Sequence, residues 1–229
     1  MDTLPAKLQA VMARIDRVAR QYGRDPTGIS LLAVSKTRPA TDIRRLASLG
    51  QRAFSESYLR EGMAKIAELR ALNLEWHFIG ALQGNKTRPI AENFDWVHSV
   101  DRLPMAERLA AQRPADKLPL SVCLQVNVSG ETSKGGVSVT QAPAMARAIA
   151  NLPGLRLRGL MTIPAPNDDF LAQRRAFRGL RELFEQLKTD GLLLDTLSMG
   201  MSHDLEAAIA EGATVVRVGT AIFGERTSG

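Results

Sequence analysis

The chain is poor in cysteine, in aromatic residues, in histidine and in long apolar runs. Cys123 is its only cysteine, so no disulfide can form within the chain; it lies in the strand-like stretch SVCLQVNV and reads as a small buried residue. Aromatic residues make up 5% of the sequence and do not cluster, which leaves no platform for stacking bases. No stretch approaches the roughly 18 consecutive apolar residues of a membrane span. The opening MDTLPAKLQA lacks the apolar core of a signal peptide, so the expected location is the cytoplasm. The histidines, His77, His98 and His203, show no metal-ligand spacing with carboxylates or with Cys123, and no metal site is expected.

Positive charge is in excess: 30 Lys and Arg stand against 24 Asp and Glu over 229 residues, a net charge of +6. A basic balance can mark nucleic-acid binding. Here the charges are spread along helix-like segments such as ARIDRVARQYGR and RRAFRGLRELFEQLK. In the second, Phe177, Leu180, Phe184 and Leu187 form one apolar face, which leaves the arginines mostly on the solvated one. Neither nucleic acid nor membrane is an expected partner.

The apolar periodicity predicts an opening helix over residues 3–22, ended by YGRDP. After it, β-like runs at about 29–35, 52–55, 75–79, 96–100, 121–128, 156–163, 194–199 and 214–218 alternate with helix-like segments at about 40–49, 58–71, 85–92, 102–112, 140–151, 169–188 and 203–211. Strict alternation implies parallel strands joined by crossover helices. Eight such units predict a single (β/α)8 TIM barrel with an extra N-terminal helix, one domain over residues 1–229. An open doubly wound sheet is the alternative, weakened because no G-x-G-x-x-G follows the first strand.

A barrel of this kind carries its site at the carboxyl ends of the strands. The first strand ends in LLAVSKTRPA, an apolar run that delivers Lys36. A lysine among apolar walls and near other cations has a lowered pKa, and its neutral amine can attack a carbonyl to form a Schiff base; Arg38, Lys86 and Arg217 are candidate neighbours. The third strand gives His77, compatible with either a pocket wall or a satisfied core histidine. The seventh gives SMGMSHDLEAAIAEG, where Gly200 and Ser202 stand at a strand-to-helix turn, and the eighth gives VRVGT, with Arg217, Gly219 and Thr220. The last two loops of barrels often bind phosphate. Ser202 could equally be a plain helix N-cap, and Gly219 a plain turn residue. Asp204 suits a cap and would repel a phosphate if it pointed inward. An amine and a phosphate site on one rim imply a phosphorylated carbonyl compound, with pyridoxal 5′-phosphate and aldolase substrates both qualifying.

The motifs LLAVSKTRPA, EWHFIGALQGNK, FDWVHSVDR, RLRGLMTIPAP, LSMGMSHDLEAAIAEG and VVRVGTAIFG together resemble the pyridoxal phosphate homeostasis protein family, from about residue 5 to 226. The resemblance implies the barrel of the alanine racemase N-terminal domain without that enzyme's second domain, and a cytoplasmic protein of vitamin B6 and amino-acid balance with no established turnover. It implies that Lys36 holds pyridoxal 5′-phosphate as an internal aldimine, that Ser202, Gly219 and Thr220 hold the phosphate, and that Arg217 faces the pyridine nitrogen. Gly200, Met201, His77 and Ser57 complete the expected cofactor contacts. The implied partners are the cofactor and, transiently, enzymes that use it; the chain is expected to be a monomer. The sequence departs from the family pattern at FSESY, where Ser55 and Ser57 replace a glycine and an asparagine, and at Ala81. A pyridoxal-phosphate-dependent amino-acid racemase is the alternative function, followed by a Schiff-base aldolase and a basic RNA- or protein-binding module.

Overall fold

The computed structural model describes residues 3–131 and 135–225. Residues 1–2, 132–134 and 226–229, which the expected domain also takes in, lie outside the described residues. Strands β1 (Ser30–Val34), β2 (Ala53–Glu56), β3 (Glu75–Phe78), β4 (Trp96–Val100) and β5 (Leu120–Asn127) follow one another around the sheet. After a two-residue strand β6 (Val137–Ser138) that pairs only with the end of β5, strands β7 (Leu155–Met161), β8 (Thr196–Ser198) and β9 (Val215–Val218) complete the circuit. β9 pairs with β1 and β4 with β5, all in parallel, so the eight long strands close into a barrel. Closure leaves none of these eight strands at a free edge.

The crossover helices α2 (Ala40–Ala47), α3 (Leu59–Glu68), α4 (Thr87–Asn93), α5 (Leu103–Gln112), α6 (Ala142–Ala150), α7 (Phe170–Thr189) and α8 (Leu205–Ala210) fall in the predicted segments. A short α9 (Thr220–Phe223) follows β9. The core lies between barrel and helices. Phe54, Phe78 and Phe94 are fully buried there, each contributing about 1.5–3 kcal/mol by leaving water. α7 buries Phe177, Leu180, Phe184 and Leu187 along one stripe, and Asp169 caps it by accepting from Ala172 N–H at 2.8 Å.

Three departures from the sequence reading have local causes. The segment 58–71 breaks at Leu69, where a 3-10 turn over 70–72 leads to Asn73 in the left-handed region at φ 49°. α8 starts at Leu205, because the Asp204 carboxylate turns back to accept from Met201 N–H at 2.6 Å and holds 201–204 in a turn. The arginines of α7 are not simply solvated: Arg174, Arg178 and Arg181 all pair with the buried Glu211.

The opening helix α1 (Leu4–Gln21) buries Leu8, Val11, Ile15 and Val18 and packs on α8 and α9. It also reaches the rim of the barrel. Arg14 donates to the Ser202 carbonyl at 2.9 Å and pairs with Glu206 at 2.5 Å.

Candidate functional site

A pocket of about 250 Å³ opens at the carboxyl ends of the strands. Lys36, Ser57, Met201, Ser202, Arg217, Gly219 and Thr220 border it, with His203 on the rim and Val34, Ile79, Met161 and Ile163 as apolar walls. The ends of six strands that are far apart in sequence therefore meet in one concavity.

Lys36 reaches it through strand alternation. Ser35 points out of the barrel, where its hydroxyl donates to Glu56 Oε1 at 2.6 Å, so the side chains on either side of it turn inward. The peptide groups flanking Lys36 are both held by one ionic cluster. Lys65 Nζ donates to the Ser35 carbonyl (2.7 Å), to Glu56 Oε1 (2.7 Å) and to Glu61 Oε1 (2.6 Å). Glu61 Oε1 in turn accepts from Thr37 N–H at 2.6 Å. Thr37 has φ 64°, a left-handed conformation that costs a β-branched residue energy and persists only where neighbours impose it. Burial raises the Glu56 carboxyl above its ordinary value, against the hydrogen bonds from Lys65 and Ser35. Of the cations expected near Lys36, Arg217 shares its pocket. Arg38 lies beside it, donating to the Gly224 and Glu225 carbonyls, and Lys86 does not border the pocket.

Arg217 is 3% exposed. Its guanidinium donates to the Ser198 carbonyl (2.7 Å), the Ser198 hydroxyl (2.8 Å) and the Thr162 carbonyl (2.9 Å). All three acceptors are neutral. Burial lowers its pKa to about 10, so it stays charged at neutral pH. Cys123, which feels the field of Arg217, is fully buried, and its thiol is pushed up to about 12 by that burial; it is an inert neutral group.

At the opposite side of the pocket Ser202 is not the N-cap of α8. Its hydroxyl accepts from Ala221 N–H at 3.3 Å and links the last two loops. Met201 supplies wall, since its N–H is taken by Asp204. That bond also turns the Asp204 carboxylate back on its own loop, and burial raises its pKa. Gly200 does not border the pocket. It is required for packing: at φ 95°, an added Cβ would stand 2.5 Å from Ala208 Cβ. Ser57, though shorter than asparagine, still borders the pocket, and its carbonyl excludes any side chain at Gly80, where a Cβ would approach within 2.1 Å.

The structure does not bring His77 to this pocket. His77 lines a separate cavity of about 300 Å³ at the other mouth, among Ser30, Glu75, Trp96 and Thr196, which open their strands. It stacks on Trp96 with ring centroids 5.4 Å apart and hydrogen-bonds Glu75 and His98. The sequence reading also passed over the groups that hold the pocket residues: Ser198 and Thr162 on Arg217, Arg14 on Ser202, and the Glu56–Lys65–Glu61 cluster. The i,i+4 spacing of Glu61 and Lys65 was the only visible sign of the last, and it reads as an ordinary helix ion pair.

A family model described as alanine racemase, N-terminal domain, matches residues 6–227. The chain is 58% identical over 229 residues to a pyridoxal phosphate homeostasis protein of Pseudomonas aeruginosa, covering 100% of this chain and 98% of that one. It is 50% identical to the protein of that name from Escherichia coli K12, covering 99% and 98%. Among solved structures, PipY of Synechococcus elongatus PCC7942, described both with and without PLP, superposes with a TM-score of 0.82 at 38% identity, over 92% of this chain and 99% of that chain.

Proposed function

The chain belongs to the pyridoxal phosphate homeostasis protein family, within the alanine racemase N-terminal domain group, and from that premise we propose that it binds pyridoxal 5′-phosphate reversibly through a Schiff base at Lys36. The observation that carries this reading is the convergence of Lys36, Arg217, Ser202, Gly219 and Thr220 on one pocket. The donor set suits the ligand: an amine for its aldehyde, a buried cation held by neutral groups for its ring nitrogen, hydroxyls for its phosphate, and apolar walls for the faces of its ring. Bound there, the cofactor would supply an electrophilic carbonyl carbon and a ring that draws electrons from it.

The residues around that position favour holding over turnover. A guanidinium at the ring nitrogen would donate a hydrogen bond and repel a second positive charge, which would disfavour ring protonation and leave the ring a weak electron sink. Racemisation needs an acid–base group on each face of the substrate. Tyr22 lies under Arg174 on the outside of the barrel, and Tyr58 is 52% exposed; neither borders the pocket. One feature favours the racemase alternative: His203 stands on the pocket rim.

Purified protein incubated with pyridoxal 5′-phosphate should turn yellow, and borohydride should fix one adduct on the peptide containing Lys36. Lys36→Ala should abolish both. Mass-spectrometric mapping of the adduct to another lysine would overturn the reading. Racemisation of alanine above the rate given by free cofactor, and lost on His203→Ala, would establish the racemase in its place.

A further inference from the structure

The barrel interior carries a row of polar side chains that the proposed binding role leaves unused. Glu75 Oε1 lies 2.6 Å from His77 Nε2, His77 Nδ1 lies 2.8 Å from His98 Nε2, and His98 Nδ1 lies 2.7 Å from the Ser198 hydroxyl. That hydroxyl accepts from Arg217 at 2.8 Å. β4 and β8 are not neighbours in the sheet, so the His98–Ser198 bond crosses the barrel's interior. The row runs from the cavity at the amino-terminal mouth to the pocket at the carboxyl-terminal one.

Its two ends fix its direction. A guanidinium can only donate, and an ionised carboxylate can only accept. The hydrogen bond from His77 lowers the Glu75 pKa against its partial burial, which keeps it ionised. His98 is fully buried, which together with the nearby His77 and Arg217 holds its pKa well below the ordinary histidine value. For a neutral pair of imidazoles, one assignment of protons satisfies every link. Arg217 donates to Ser198, Ser198 O–H to His98 Nδ1, His98 Nε2–H to His77 Nδ1, and His77 Nε2–H to Glu75. All four bonds point the same way, and such aligned bonds polarise one another. Three donor contacts of the guanidinium are spent inside the barrel, on the Ser198 carbonyl, the Ser198 hydroxyl and the Thr162 carbonyl. The donors that remain are left for the pocket.

We propose that Ser198, His98, His77 and Glu75 form a one-directional positioning chain that sets the donor edge of Arg217 toward a ligand's ring nitrogen, with the Glu75 carboxylate as its terminal acceptor at the opposite mouth. The proposal rests on the cofactor reading above. It assigns His77 a part in binding from the far end of the barrel, where it never touches the ligand.

Two measurements test it. In the unliganded protein, imidazole nitrogen NMR shifts should report Nε2–H with a bare Nδ1 at both His77 and His98; the reverse tautomer at either overturns the chain. Second, affinities are compared for pyridoxal 5′-phosphate and for the analogue whose ring nitrogen is replaced by C–H. Ser198→Ala should weaken pyridoxal 5′-phosphate by about tenfold, the effect of losing one hydrogen bond to a charged group, and leave the analogue within about twofold. Glu75→Gln, at a half-exposed site where folding is not at stake, should weaken the natural cofactor by about two- to threefold with the same selectivity. Variants that bind both ligands like the wild type, or weaken both equally, overturn the positioning role while leaving cofactor binding intact. A wild type that takes up neither ligand overturns the cofactor reading and this one together.

Discussion

Two buried cations stand behind the pocket, and they are neutralised in opposite ways. Lys65 sits between two carboxylates, Glu56 and Glu61, at 2.7 and 2.6 Å. Arg217 is as deeply buried, yet its contacts are carbonyls and a serine hydroxyl. The Lys65 charge is consumed locally, and its work is to fix the backbone on both sides of Lys36. The Arg217 charge feels the Asp204 carboxylate but makes no ion pair with it among the described residues, so its field still reaches the pocket. A buried ion closely paired with carboxylates serves architecture; one solvated by dipoles keeps its charge available to a ligand.

The largest effect that could break this contrast is Lys65→Met. It strands Glu56, which is fully buried, and should cost about 3–5 kcal/mol of folding stability by urea denaturation; the double variant with Glu56→Gln should recover much of that. A single variant as stable as the wild type would show that the cluster is not ionic. Arg217→Met should behave in reverse. Its stranded acceptors are neutral and should cost roughly 1–3 kcal/mol of stability, while affinity for pyridoxal 5′-phosphate falls by at least about tenfold. Should titration give unchanged affinity, the assigned role of Arg217 is lost.

A smaller effect concerns pH. The Glu56 pKa is raised in the folded protein, mainly by burial, so the native state binds more protons than the unfolded one between the ordinary carboxylate value and the raised one. The Glu56 contribution to stability is therefore full below the unfolded pKa and is lost as pH rises through the folded pKa. Glu56→Gln should flatten the pH dependence of stability across that window, and an unaltered slope would assign it elsewhere. The smallest effect is at Ser55, whose hydroxyl is buried with no partner among the described residues. Ser55→Ala should raise stability by about 1 kcal/mol; a loss in thermal or urea melts would mean that the hydroxyl is satisfied.

The barrel was legible because helix and strand periods alternate without interruption, and the alternation alone dictates parallel strands. The strand-end rule likewise selected Lys36, Arg217, Ser202, Gly219 and Thr220, which the structure gathers at one mouth. It failed at His77 because a strand end read from sequence is uncertain by a residue or two, and β3 ends at Phe78, so that Ile79 rather than His77 borders the pocket. The partners that hold the site in place were out of reach. His98 and Ser198 are 100 positions apart and meet across the inside of a closed barrel. No periodicity encodes such a contact, because it depends on how far each strand is staggered against its neighbours. The ion pairs of Arg174, Arg178 and Arg181 with Glu211 were out of reach for a related reason: a helical wheel shows which face is polar, not which polar residue finds a carboxylate on another helix.

The bond from Arg14 to the Ser202 carbonyl joins residues 188 positions apart, and Lys36 follows the first barrel strand to be made while Arg217 to Thr220 lie at and just past the end of the last. During synthesis the amine emerges early, but nothing exists to keep a small molecule beside it until almost the whole chain has left the ribosome. The pocket is therefore incomplete on a nascent chain, and under the reading proposed above, specific loading follows the docking of the final strand and helix onto the first.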